Sequence, residues 1–309
     1  MAEFPDLVDG IHYGISFEDY VRLPAMNATT LKHGVDRLGS AAHLKAAIDG
    51  LLNTDSGAKK VGRALHCRVL EPDCYDERFT ISPGCQAIIS KGRSKGHMCG
   101  NFAQYLVPTS DGDKWLCGVH KPRELCDEPF ENVLSMEQAR NVERAAESIR
   151  RHPIARFINA RGGFEATAIS SVSGIRKKCR MDKFIPRQGN NPPIIVDLKK
   201  TRKGRATKYF CQKDSRDYGY DVSAAWYCDT VAEIIGEVPQ FVFVFVEETA
   251  PHDLFALQLN SRDVRCGRAR YAQALERYNH GIKTGEWPGV SGMIETGLLD
   301  DGFLESVIG

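Results

Sequence analysis

The segment Gln240-Phe241-Val242-Phe243-Val244-Phe245-Val246 is apolar at every position after its first. Side chains alternate between the two faces of a strand, so a strand written this way has no polar face. It must be covered on both sides, which is the condition of a central strand in a sheet with helices above and below. A second run, Ile194-Ile195-Val196-Asp197-Leu198-Lys199, is apolar until its end and then turns polar. Alternation puts Asp197 and Lys199 on one face and Val196 and Leu198 on the other.

The rest of the chain supplies partners for these strands. Residues 164–172 and 175–185 read as two further strands with Gly174 between them, a hairpin signal. Residues 136–151 read as a helix ended by His152-Pro153, residues 218–235 as a second helix, 254–259 as another strand and 262–283 as a long closing helix. Upstream, Asn27 or Thr29 is placed to cap a short helix. Residues 60–71 carry Val61, Leu65 and Val69 on one helical stripe, and Pro72 stops it. Residues 84–132 are rich in Gly, Ser, Asp and Pro and are expected to be loop, poorly ordered or in contact with a ligand. The expected fold is therefore α/β (α+β), a mixed central sheet flanked by helices. We expect one domain over 1–289, with a largely helical part in 1–150 and the core in 151–289, followed by an acidic tail at 290–309 that contains Glu295, Asp300, Asp301 and Glu305 and no Lys or Arg.

With 309 residues and ordinary apolar and charged content, the chain can bury a full core. No stretch approaches the roughly 20 apolar residues of a membrane span, and the acidic start lacks an apolar signal region. An intracellular protein is expected, so the ten cysteines are read as free thiols. Cys67, Cys179, Cys211 and Cys228 sit in patterned segments as small core residues. Cys85, Cys99, Cys117 and Cys126, with His97 and His120, form a looser group. Cys117-Gly-Val-His120 has ligand-like spacing, but there is no paired Cys-x-x-Cys and the other intervals are irregular. The spacing alone favours free thiols over zinc, and no closely spaced triplet supports an iron–sulfur cluster.

Net charge is only +1. Yet Lys199, Lys200, Arg202, Lys203, Arg205 and Lys208 crowd one stretch, and Arg176, Lys177, Lys178, Arg180 and Lys183 another. Local basic clusters in a near-neutral chain point to one phosphate-contacting surface. An acid and a lysine side by side at a strand end can hold a divalent cation and position a water. An Asp-x-Lys triplet is nevertheless expected about once by chance in a chain of this length, so its neighbours decide its meaning.

Those neighbours carry a family resemblance. Gly62-Arg63-Ala64-Leu65-His66, then Cys179-Arg180-Met181-Asp182, then Val196-Asp197-Leu198-Lys199-Lys200-Thr201, then the segment from Tyr218 through Ser223 to Tyr227 resemble, in order, the PD-(D/E)xK nuclease superfamily. Within it they are similar to the RecE-type exonuclease VIII catalytic domain of phages and prophages. The resemblance spans about residues 10–260 and extends to Ile11-His12-Tyr13-Gly14-Ile15-Ser16 and to Val69-Leu70-Glu71-Pro72.

The resemblance implies a restriction-endonuclease-like core and a metal-dependent exonuclease that degrades linear double-stranded DNA, 5′ to 3′, to leave 3′ single-stranded tails for recombination. It implies Mg²⁺ or Mn²⁺, two ions per site, held by His66, Asp182, Asp197 and the Leu198 carbonyl. Lys199 is implied as the residue that orients the attacking water and offsets transition-state charge. Tyr220 and Tyr227, together with the basic residues Lys200, Arg202 and Lys203, are expected to meet substrate, and Glu165 to support the site. A bacterial cytoplasmic setting, a single-strand annealing partner and a homo-oligomeric ring belong to the same implication. The chain departs from the family at Ser223, where glutamine is usual. A serine is too short to span the same distance. An endonuclease on the same fold, or a non-catalytic DNA-binding protein, are the alternatives.

Overall fold

The computed structural model describes residues 7–52, 57–122, 130 and 132–291. In chain order the elements are β1 (Gly10–His12), α1 (Phe17–Arg22), α2 (Ala28–Lys32), α3 (Ala41–Ile48), α4 (Gly57–Leu70), a single 3-10 turn (Pro72–Cys74), α5 (Tyr75–Arg78), β2 (Thr80–Ser82), β3 (Tyr105–Val107), β4 (Lys114–Leu116), β5 (Val133–Ser135), α6 (Met136–Arg151) and α7 (Ala155–Ile158). The second half holds β6 (Gly163–Ser170), β7 (Lys177–Ile185), β8 (Ile194–Thr201), α8 (Lys208–Asp217), α9 (Tyr220–Ile235), β9 (Gln240–Glu247), β10 (Leu254–Gln258) and α10 (Ser261–Thr284).

Six strands form the main sheet in the order β1-β6-β7-β8-β9-β10. All pairs are antiparallel except β8 with β9, which run parallel. The parallel pair includes β9, which is buried on both faces as its sequence requires. On one face Ile195, Phe241, Phe243 and Phe245 pack with Trp226, Val222 and Val231 of α9 and with Leu31 of α2. On the other, Val196, Leu198, Val242, Val244 and Val246 pack with Leu65 of α4 and Ala145, Ala146 and Ile149 of α6.

Local chemistry sets the element ends. Asn27, not Thr29, caps α2, its side chain accepting the Thr30 N–H at 3.0 Å. Ser135 and Gln138 make a reciprocal capping box at α6. Gly267 lets α10 lie against α9, where a Cβ would sit 2.1 Å from the Asp221 carbonyl oxygen. The chain between β2 and β5 is more structured than its composition suggests. β2 pairs with β5 in parallel, and the intervening segment carries the β3–β4 hairpin and a small core of its own around Ala103, Val107 and Leu116. Among the described residues, no helix is long and apolar enough to cross a membrane. Cys126 and nearly all of the acidic tail, 292–309, lie outside the described residues.

Candidate active site

The β7–β8 ladder stops at Lys183↔Val196. One step further, the register would set Asp182 opposite Asp197, and the corresponding step on the other side of β7, between Phe164↔Lys183 and Ala166↔Met181, sets Glu165 opposite Asp182. Three acids thus form a row across β6, β7 and β8 at the point where β7 and β8 part. The parting leaves the Leu198 N–H without a strand partner. The Asp182 carboxylate takes its place, accepting that N–H at 2.6 Å. His66, projecting from α4, lies with Nε2 2.9 Å from the Leu198 carbonyl oxygen and Nδ1 3.5 Å from Asp182 Oδ1. Leu198 is therefore held at both backbone ends, with its side chain buried among apolar residues of the α4–α6 layer.

Asp197 and Lys199 point to the opposite face and form an ion pair. The Lys199 ammonium lies 5.3 Å from the centroid of the Tyr220 ring, a cation–π distance. Asp197 Oδ2 is buried, and the cation that meets it is the Lys199 ammonium. A buried carboxylate is costly unless a cation meets it. His66, Glu165 and Asp182 present ligand atoms within 4.8 Å of one another. Carboxylate oxygens and a backbone carbonyl are hard donors that suit Mg²⁺ or Mn²⁺, so the residues fit a divalent ion of that class.

The charges are strongly coupled. Burial pulls the His66 imidazole down, but the charge of Asp182 and the contact with it outweigh burial, and the pKa is raised to about 9. Burial pushes Asp182 up, but His66, Lys199 and the Leu198 N–H hold it below the usual carboxylate range. Asp197 is raised, by burial first and by the Asp182 charge, against the pull of Lys199. Lys199 is raised because Asp197 and Asp182 overcome its burial. Glu165 is raised by burial and by Asp182, although Arg180 pairs with it at 2.6 Å. Glu165 also has φ of 48°, unusual for a non-glycine residue. The left-handed turn of backbone falls where the acid meets Asp182.

The expected substrate residues divide. Tyr220 and Tyr227 lie on the inner face of α9, against Phe243 and Phe245 and against Phe241 respectively. Arg202 and Lys203 are exposed in the loop after β8. That loop is held in place by Glu247, whose Oε1 accepts the Gly204 N–H at 2.5 Å. Lys200 instead pairs with Glu248, and Arg205 with Asp214.

The second basic cluster is a correction to the sequence reading. Lys177 pairs with Glu233 at 2.6 Å, and the buried Lys178 donates to the carbonyls of Tyr20, Val21 and Leu23. Arg176 donates to the Leu7 carbonyl, and Lys183 is buried over the Phe164 ring. Arg176 and Lys178 fasten the N-terminal segment to the sheet, while Lys177 and Lys183 are taken up by α9 and β6, rather than meeting phosphate.

One residue escaped sequence reading. Lys32, at the end of α2, lies 5.7 Å from the Tyr220 ring centroid. Burial and the charge of Lys199 lower its pKa to about 8, while Asp197 and Asp221 oppose the shift. Nothing local in Thr29-Thr30-Leu31-Lys32 signals this, because α2 reaches the site only through tertiary packing.

The sequence matches the family of the PDDEXK-like domain of unknown function (DUF3799) over residues 29–297. The chain belongs to this PDDEXK-like family. The fold and the family together make it a member of the PD-(D/E)xK nuclease superfamily. A crystal structure from Eubacterium rectale titled "Putative exonuclease" is similar in fold, with a TM-score of 0.57 at 15% identity, over 95% of this chain and 98% of that one. Among curated proteins, none matches the sequence. The row of acids, the lysine and the histidine lie in the sheet and helices of the matched PDDEXK-like region.

Proposed function

We propose that the chain is a metal-dependent exonuclease acting on linear double-stranded DNA, of the RecE type, that degrades 5′ to 3′ and leaves 3′ single strands for an annealing partner. The observation that carries the reading is the parting of β7 and β8 with Asp182, Leu198 and Asp197 at the fork and Lys199 beside them. In this reading His66, Asp182, Asp197 and the Leu198 carbonyl hold Mg²⁺ or Mn²⁺, two ions per site, with Glu165 supporting His66 and Asp182. The bound metal supplies Lewis-acid stabilisation of phosphate charge and lowers the pKa of water. Asp182 does two things: it fixes the Leu198 backbone and it contributes an anionic oxygen. Lys199 holds the nucleophilic water and offsets the negative charge that grows on the phosphate. The face of Tyr220 restricts where the Lys199 ammonium can go. Arg202 and Lys203 grip the backbone of the DNA, with Lys200 and Tyr227 nearby and Lys32 adding a cation where Ser223 is too short to reach. Assembly into a ring in the bacterial cytoplasm would hold the enzyme on its substrate.

The test is digestion of linear and covalently closed duplex DNA, each with Mg²⁺ and with EDTA, by wild type, Asp197→Ala and Lys199→Ala. Loss of linear DNA only with Mg²⁺ and only by wild type is expected. Folded wild type that degrades neither substrate overturns the nuclease reading. Circles cut as fast as linear DNA replace it with an endonuclease.

A further inference from the structure

The segment between β2 and β5 gathers three cysteines and a histidine that the nuclease site does not use. Cys85, Cys99, Cys117 and His120 bring their ligand atoms within 4.8 Å of one another. His120 Nδ1 lies 3.5 Å from Cys85 Sγ and 3.4 Å from Cys117 Sγ. A tetrahedral zinc with Zn–S of about 2.3 Å and Zn–N of about 2.0–2.1 Å puts its sulfur and nitrogen ligands about 3.5 Å apart and its sulfurs about 3.8 Å apart. The two nitrogen–sulfur separations match the edges of such a tetrahedron, and the remaining ligand atoms lie within 4.8 Å. We propose that Cys85, Cys99, Cys117 and His120 bind one structural zinc ion.

The backbone is shaped for the same purpose. Cys85 and Cys99 face each other across a paired loop, in which the Cys99 N–H donates to the Ala87 carbonyl at 2.8 Å and the Gly100 N–H to the Cys85 carbonyl at 2.9 Å. The turn Cys117-Gly118-Val119-His120 closes when the His120 and Lys121 N–H groups donate to the Cys117 carbonyl, each at 3.0 Å. Backbone N–H groups of Ala87 and Cys117 point at the Cys85 sulfur, and those of Val119 and His120 at the Cys117 sulfur. Donors aimed at sulfur are the surroundings a thiolate needs. Cys85 and Cys117 are buried.

The segment also needs a staple. Its two strands have three residues each, and its buried core, apart from the two cysteines, is Ala103, Val107 and Leu116. So small a core does not hold an independent unit without metal or disulfides. Three thiolates and an imidazole are a zinc donor set, unlike the oxygen-rich set of the nuclease site. His97 is exposed, and among the described residues its ring stands outside the cluster. The Lys60 ammonium of α4 lies 5.2 Å from the Phe102 ring centroid, a cation–π contact between this segment and the helix that carries His66.

Metal content of tag-free protein purified without chelator tests the proposal. Wild type and His97→Ala should each carry one zinc per chain, and Cys85→Ser/Cys117→Ser close to none, with protease cleavage newly concentrated in residues 84–122. Cobalt substitution should give tetrahedral cobalt absorption with thiolate charge transfer in wild type. His120→Cys should keep the metal and gain charge-transfer intensity from a fourth thiolate, and it carries the test if the double variant is insoluble. Zinc-free wild type whose three thiols react freely or are found as a disulfide, zinc retained by the double variant, or a cobalt spectrum unchanged in His120→Cys would each overturn it.

Discussion

Replacing Asp182 separates its two tasks. In Asp182→Ala the buried Leu198 N–H loses its carboxylate acceptor, which costs about 1–3 kcal/mol for a buried unsatisfied donor. The His66 contact at 3.5 Å is long and adds about 1 kcal/mol at most. Relief of repulsion offsets little, because Glu165 is matched by Arg180 and Asp197 by Lys199. The expected loss is about 1–4 kcal/mol. Asp182→Asn keeps an oxygen for Leu198 and an NH₂ that can donate to Nδ1 of a neutral imidazole, so its loss should stay within about 1 kcal/mol. At about 2 °C per kcal/mol for a chain of this size, Ala should lower Tm by about 2–8 °C and Asn by about 2 °C or less. Thermal unfolding in EDTA reads the difference without metal. Nuclease assays with Mg²⁺ should find both variants inactive, since neither supplies an anionic oxygen. Equal stability of the two variants would refute the account of Leu198, and an active Asp182→Ala would refute the metal-ligand role.

Other expectations follow from the same structure. In EDTA, wild-type stability should fall as pH rises from about 6.5 to about 9, because the folded His66 pKa of about 9 lies above the unfolded value of about 6.5 and the stabilisation is complete only below the latter; His66→Gln should remove that slope, and an unchanged slope assigns it elsewhere. Arg202→Ala/Lys203→Ala should weaken DNA binding at any sequence and reduce the slope of log K against log salt by about 2, read by fluorescence anisotropy, and an unchanged slope removes them from the interface. Lys178→Met should cost stability more than Lys200→Ala, since Lys178 holds three backbone carbonyls in the interior while Lys200 has one carboxylate near the surface; equal melting temperatures would contradict this. Gly267→Ala should cost about 1–3 kcal/mol in thermal unfolding, because its methyl meets the backbone of α9, and no loss would mean that the two helices separate freely.

Much of this was readable in the sequence where one element's period carried the information. The apolar run of β9, the polar end of β8 and the capped α6 lie where their patterns put them. Asp182, Asp197, Lys199 and His66 are singled out by the family resemblance rather than by spacing alone, and the fold brings them close together. What spacing could not reach was set by tertiary contacts. Glu165 could be named as a supporting acid, but its place opposite Asp182 is set only by the strand register. Lys32 looks like an ordinary helix-end cation, and the Arg176–Lys183 cluster looks like a phosphate surface until backbone carbonyls and Glu233 claim it. α8 lacks a strong apolar period and is fixed by Thr207 capping and by Cys211 in the core. In the segment between β2 and β5 the sequence groups Cys85, Cys99, Cys117 and His120, but irregular intervals favour free thiols, because three separate pieces of loop converge on the cluster.

Strand β8 serves both sides of the sheet. Its Leu198 backbone answers to His66 from the α4 layer, while Asp197 and Lys199 answer to Tyr220 and Lys32 from the α9 layer. Neither layer alone holds a complete set of chemical groups. A chain in which only one layer has packed against β8 lacks part of the proposed centre, so the proposed activity requires that both halves of the interior close on the same strand.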